Sequence, residues 1–201
     1  MQEISIDRDA TAERRDLDDD SWVDVTRGWL RGADDVYAAL VEGVPWRQGR
    51  VFRYERYLDE PRLGSWFDRD TPYPHPVLTE AHRALQHQYR VTFGGVGLAF
   101  YRDGRDSVAP HNDHLDEIVS GFPIALLSLG TTRRMTIRAK ASPKRVLHVD
   151  LAAGSLLVMS YETQLHYTHG IPKTAEPVGP RISLAFRVRP APDPAKPGFY
   201  R

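Results

Sequence analysis

Cysteine is absent from the 201 residues. Disulfide frameworks, thiolate nucleophiles and sulfur-ligated zinc or iron–sulfur sites are therefore excluded, and any metal must sit on nitrogen and oxygen donors. Long apolar runs are lacking too. A stretch such as Ile124 to Leu127 is far below the roughly 18 residues a membrane-spanning helix needs, so no membrane segment is expected. Neither sign of charge is in excess, since 27 basic residues balance 27 acidic ones. Net charge alone thus argues neither for nor against a polyanionic partner. The opening residues mix acids with arginines where a secretory leader would need a basic start and an apolar run, which makes the cytoplasm the expected location.

What the chain does contain is globular in character. Hydrophobic residues make up 41% and charged residues 27%, enough for one buried core in a single domain over residues 1–201. No protein partner is evident, and a monomer is expected. Charge is unevenly spread: Met1 to Asp20 holds eight acids against three arginines, and reads as an acidic arm or a short opening strand. From Ile118 to Val149 there are six bases (Arg133, Arg134, Arg138, Lys140, Lys144, Arg145) and no acid. That stretch is either a solvated strand face or a surface for a polyanion.

Asp34 can cap a helix through Val36, Ala39, Leu40 and Val41, ended by Gly43 to Pro45. Pro76 starts a second helix, in which Val77, Ala81, Ala84 and Leu85 recur at spacings of three and four up to about Tyr89. Val51 to Tyr57 alternates as one half-buried strand. Beyond Arg90, short runs at 96–101, 124–129, 135–138, 145–149, 155–160 and 181–188 read as strands separated by glycine and proline. Helices followed by many short strands predict an α+β fold, a double-stranded β-helix (jelly roll) core over 96–189 with helices packed on one sheet. A Pro-rich tail, 190–201, follows.

His111 and Asp113 stand two apart, so on an extended segment both side chains point the same way. Either His166 or His169, on a later segment, could complete two histidines and one carboxylate. That set leaves positions of a non-haem Fe(II) open to ligands. Arg181 and Arg187 share a strand face with Ser183 and Ala185, while Ile182, Leu184 and Phe186 occupy the other. An arginine facing a barrel interior requires an anion, and a carboxylate fits its fork. If the apolar face points inward instead, both arginines are simply exposed.

Several motifs resemble the AlkB family of Fe(II)/2-oxoglutarate dioxygenases from Tyr101 to Arg187, and more loosely from about Pro61. They are the loop from Tyr101 to His111-Asn-Asp113, the strand from Pro123 to Gly130, Gly154-Ser-Leu-Leu-Val-Met159, His169-Gly-Ile-Pro172 and Pro180-Arg181-Ile-Ser-Leu-Ala-Phe-Arg187. The resemblance implies iron ligation by His111, Asp113 and His169 rather than His166. It implies that Arg181 and Tyr101 hold the distal carboxylate of 2-oxoglutarate and that Arg187 faces the end nearer the iron. Residues 51–75 resemble the substrate-lid region, with Trp66, Phe67 and Arg62 as candidate substrate contacts, joined by Asp116 near the iron motif. Fe(II), 2-oxoglutarate and O2 are the implied cofactor and cosubstrates. Oxidative demethylation of N-alkylated nucleobases is the implied reaction, acting on single-stranded DNA, with duplex DNA or RNA left open. Ala99 stands where the family commonly has an asparagine assisting the oxo-acid. Leu115 stands where repair members carry an acid that contacts the base. Two other functions fit the same motifs: the same chemistry on a protein side chain or small metabolite, or a non-catalytic nucleic-acid-binding module on the same fold.

Overall fold

The computed structural model describes residues 3–53, 55–113, 115, 118–142 and 144–190. Its first part contains β1 (Ser5–Ile6), β2 (Glu13–Asp16), β3 (Trp22–Thr26), β4 (Leu30–Arg31), α1 (Ala33–Gly43), β5 (Arg47–Arg53), β6 (Arg56–Asp68) and α2 (Pro76–Tyr89). Then come β7 (Gly95–Tyr101), β8 (Val108–His111), β9 (Ile124–Gly130), β10 (Arg133–Ala139), β11 (Val146–Leu151), β12 (Leu156–Met159), α3 (Tyr161–His166), β13 (Tyr167–Ile171) and β14 (Arg181–Phe186). Residues 191–201, most of the Pro-rich tail, and Asp116 lie outside the described residues.

Among the described residues an eight-stranded sheet runs β2-β3-β12-β9-β14-β7-β6-β5 and faces a four-stranded sheet β11-β10-β13-β8. β14 lies between β9 and β7, antiparallel to both. Every residue of β14 is buried, and period-two alternation sorts its side chains into two environments. Ile182, Leu184 and Phe186 join Leu40, Leu78, Leu85, Leu98 and Leu127 in the layer between the large sheet and helices α1 and α2. Ala185 joins Ile124, Leu126, Ile137, Leu157 and Ile171 in the layer between the two sheets. This is the jelly roll with helices on one sheet that the strand spacing predicts.

Local chemistry accounts for most element boundaries. α2 has proline in its first turn and His75 as cap, its Nδ1 accepting the Val77 N–H at 3.2 Å. α1 departs from expectation: its cap is Gly32, in the left-handed region at φ +67°, with Asp34 inside the first turn. A Cβ on Gly32 would lie 2.8 Å from Ile4 Cγ1, so both backbone and space call for glycine. Asp34 still favours the helix start, through the macrodipole. The strand expected over 51–57 is instead a hairpin: β5 ends at Arg53, Glu55 turns at φ +60°, and β6 returns to Asp68. β6 runs through Pro61 because the β5–β6 register shifts between Gln48 and Arg50, a bulge that tolerates a residue without N–H. The acidic arm contributes β1, paired with β4, and β2, paired with β3 at one edge of the large sheet.

Candidate active site

β8 and β13 are antiparallel neighbours, and their register sets His111 opposite His169. The two rings stand 4.5 Å apart between centroids. Asp113, two residues beyond His111, brings a carboxylate to the same point, so ligand atoms of His111, Asp113 and His169 all lie within 4.8 Å of one another. His166 is elsewhere, with Nδ1 3.3 Å from Ser21 Oγ and 3.5 Å from Asp18 Oδ2.

The electrostatics suit a cation. Burial alone would raise Asp113, but Arg187, donating from Nε and Nη2 to its two oxygens at 2.9 Å each, together with His169 and His111 outweighs burial and holds it well below the usual carboxylate range. Each carboxylate oxygen has a second lone pair, so these bonds leave acceptor capacity for an ion. His169 is lowered to about 4, first by burial and then by neighbouring His111. His111 is also lowered, chiefly by burial. Both imidazoles are therefore neutral at pH 7, the form that ligates a metal.

Arg181 is completely buried at the start of β14, on the face shared with Ser183 and Ala185. Its Nη2 donates to Ser128 Oγ at 2.9 Å on neighbouring β9, and its Cζ lies 5.2 Å from the Tyr101 ring centroid. Nε and Nη1 have no hydrogen-bond acceptor among the described residues. Leaving a buried guanidinium half-satisfied costs several kcal/mol, and an entering carboxylate offers the acceptors it lacks. The donor sets thus fit both a first-row metal on two nitrogens and one oxygen and a carboxylate cosubstrate.

The lid candidates divide by strand face. Trp66 lies opposite Gly97, where a Cβ would meet the indole at 3.3 Å and Arg187 Nη1 at 3.8 Å, which places the ring on the interior side near Asp113. Its Nε1 donates to Asp68 at 2.8 Å, and Arg189 lies over the ring. Arg62, on the same side of β6, is near enough to lower the His111 pKa by its charge. Phe67 packs on the helix-side core, so its expected role as a substrate contact is corrected to packing. In the basic stretch Arg134, Arg138, Lys140, Lys144 and Arg145 are exposed, as on a solvated face, and Arg133 alone departs from that. Arg133 is buried and donates to the carbonyls of Asp103, Asp106 and Pro172, Arg134 pairs with Asp150, and the Lys140 ammonium donates to α3 carbonyls. Sequence reasoning missed Ser128 and Arg133. A serine inside a run predicted as strand, or an arginine just before one, carries no signal of its eventual partner.

A family model described as the 2OG-Fe(II) oxygenase superfamily matches residues 68–187. Human DNA oxidative demethylase ALKBH2 is 31% identical over 177 residues, 77% of this chain and 68% of the relative. The chain belongs to this superfamily and, within it, to the AlkB family. Alpha-ketoglutarate-dependent dioxygenase alkB homolog 3 of Mus musculus is 32% identical over 178 residues, 79% of this chain. This AlkB-family chain spans only 62% of that relative's length. The solved structure of OsALKBH1 shares the fold, with a TM-score of 0.58 over 88% of this chain and 100% of that one at 14% identity. Fe(II), 2-oxoglutarate and O2 are the cofactor and cosubstrates of the family, and no helix among the described residues is long and apolar enough to cross a membrane.

Proposed function

We propose that the chain is an Fe(II)- and 2-oxoglutarate-dependent dioxygenase that removes alkyl groups from nucleobases, with His111, Asp113 and His169 as metal ligands. The observation that carries this reading is the pairing of that converged triad with Arg181, whose bare Nε and Nη1 donors are buried on the inner face of the large sheet. When bound, iron with the oxo-acid and O2 supplies the oxidising power to hydroxylate an alkyl C–H bond, the oxo-acid leaving as succinate and carbon dioxide. The chain's own residues supply position. Arg181, braced by Ser128 and Tyr101, holds the distal carboxylate of the oxo-acid, while Arg187 keeps Asp113 ionised and oriented beside its other end. The hydroxylated N-alkyl group then breaks down to an aldehyde and the restored base.

Nucleobases as substrate are supported by kinship with a named DNA demethylase and by Trp66 and Arg62 on the site side of β6. Phe52 and Tyr57, 63% and 64% exposed at the hairpin end and 5.1 Å apart, add aromatic surface for stacking. Single strands are the preferred form, because extruding a base from a duplex adds a few kcal/mol. The test is formaldehyde and succinate release from a single-stranded oligonucleotide carrying one N-methylated base, run across a salt series. Methyl-dependent turnover and binding that falls steeply with salt are expected. If succinate forms while every methylated strand stays intact, the substrate is a protein side chain or metabolite. Leu115, apolar and 44% exposed beside the metal loop, favours that second reading.

A further inference from the structure

The three side chains of the candidate metal centre are not held by equivalent means. His111 and His169 sit opposite one another in the β8–β13 ladder, so the sheet itself fixes their separation. Asp113 lies beyond the end of β8 and has no ladder partner. Arg187 holds its carboxylate, but a carboxylate held only at its tip can swing with its backbone. Something must fix the main chain of residue 113.

That role falls to the short helix α3, which directly precedes β13. Gln164 is completely buried, and its Oε1 accepts the Asp113 N–H at 3.1 Å. In return, Asn112 Nδ2 donates to the backbone carbonyls of Gln164 and Tyr167. Lys140 completes the arrangement, its ammonium donating to the Gln164 and Leu165 carbonyls at 3.1 and 2.7 Å and its N–H to the His166 carbonyl at 2.9 Å. The last carbonyls of a helix have no intrahelical partners. Here the metal loop and Lys140, just past β10, provide them, so the loop and the helix end each satisfy the other's backbone.

We infer that Asn112 and Gln164 form a reciprocal clamp that positions Asp113 for metal binding, an inference that rests on the metal-centre reading above. Gln164 touches neither metal nor substrate in this scheme and is a positioning residue. Its side-chain amide has little other polar company, its Nε2 lying 4.0 Å from Met159 Sδ. The Asp113 N–H is thus the principal polar contact of its Oε1, and removing the acceptor leaves a buried donor unpaired.

The experiment uses the full chain and measures Mn2+ affinity, the visible spectrum of bound Co2+, and the melting temperature in chelator, for wild type, Gln164→Leu, Gln164→Glu and Asn112→Ala. Gln164→Leu should weaken Mn2+ binding by about 10–100-fold, as for other residues that orient a ligand, and should shift the Co2+ bands. Gln164→Glu, which keeps an acceptor at that position, should recover most of the affinity. Should Gln164→Leu fail to fold, Asn112→Ala reads the same clamp from its other side, with an expected loss of about tenfold. A Gln164→Leu or Asn112→Ala protein that melts early yet binds Mn2+ like wild type, with an unchanged Co2+ spectrum, would make the contact purely structural and overturn the inference. Wild-type protein that binds no Mn2+ would overturn the metal-centre reading itself.

Discussion

The two faces of β14 differ by one residue in sequence and by nearly everything in chemistry. Ile182, Leu184 and Phe186 meet the helices in a layer made largely of aliphatic and aromatic groups. Arg181, on the opposite face, meets Ser128 and Tyr101. The first face has satisfied its chemistry by packing, so its residues contribute to stability and have no contact to offer a ligand. The second carries unmet hydrogen-bond capacity, so it gains by binding. A single strand can serve both purposes because pleating keeps them from mixing.

The comparison breaks if a substitution on one face produces the effect assigned to the other. The largest expected effect is Asp113→Ala, which should lower 2-oxoglutarate turnover by well over about 100-fold, because a three-ligand centre has no substitute carboxylate. Succinate formation at the wild-type rate would remove Asp113 from the centre. Phe186→Ala should cost about 3–5 kcal/mol of unfolding free energy. Its folded fraction should bind 2-oxoglutarate as tightly as wild type, and a changed dissociation constant would mean the layers communicate. Arg181→Lys inverts that pattern. Replacing a fork by a point charge should weaken 2-oxoglutarate about 10–100-fold with little loss in melting temperature. Unchanged affinity in calorimetric titrations would assign the carboxylate to Arg187.

Trp66 and Phe67 give the sharpest version, being adjacent on opposite sides of β6. Trp66→Ala should weaken a methylated single strand by about 1–3 kcal/mol, and Phe67→Ala should show up in denaturation instead. Equal loss of oligonucleotide binding from both would deny that the faces are distinct. The remaining comparison concerns acid stability. His82 in the helix layer and His169 between the sheets both have depressed pKa values, His169 about 4. Above the ordinary value of about 6.5 both folded and unfolded states are neutral and the contribution is fully present. As pH falls toward 4 the unfolded state takes up protons that the folded state refuses, so stability declines. Chemical denaturation of chelator-treated protein should show this drop, and His169→Gln should flatten it. A midpoint unchanged from pH 7 to 4 would contradict both assignments.

Some of this arrangement was legible in the residues alone. Alternation from Arg181 to Phe186 gave two unlike faces, and the Val77 to Leu85 spacing gave α2 with its apolar side. His111 and Asp113, two apart, share a direction, but the choice of His169 as third ligand came from the resemblance to the AlkB family and not from spacing. What escaped was set by partners distant in sequence. The run of β6 past Tyr57 and through Pro61 was not anticipated, because the bulge that accommodates proline belongs to its pairing with β5. Trp22–Thr26 showed no signal as β3, since its pairing with β12 lies more than a hundred residues away. Arg133 was grouped with a solvated or polyanion-facing stretch because its three acceptors are backbone carbonyls, which every residue type possesses. Phe67 read as a site aromatic because the face of a strand depends on register, and one residue reverses it.

The central position of β14 also has a temporal meaning. It is the last strand among the described residues, yet it stands between β9 and β7. Until it arrives, β2, β3, β12 and β9 form one half-sheet and β7, β6 and β5 another, each with an open apolar edge. During synthesis those edges must wait for the segment that closes them, and exposed strand edges are where chains associate wrongly. The same six residues that begin with Arg181 thus close both open edges at once.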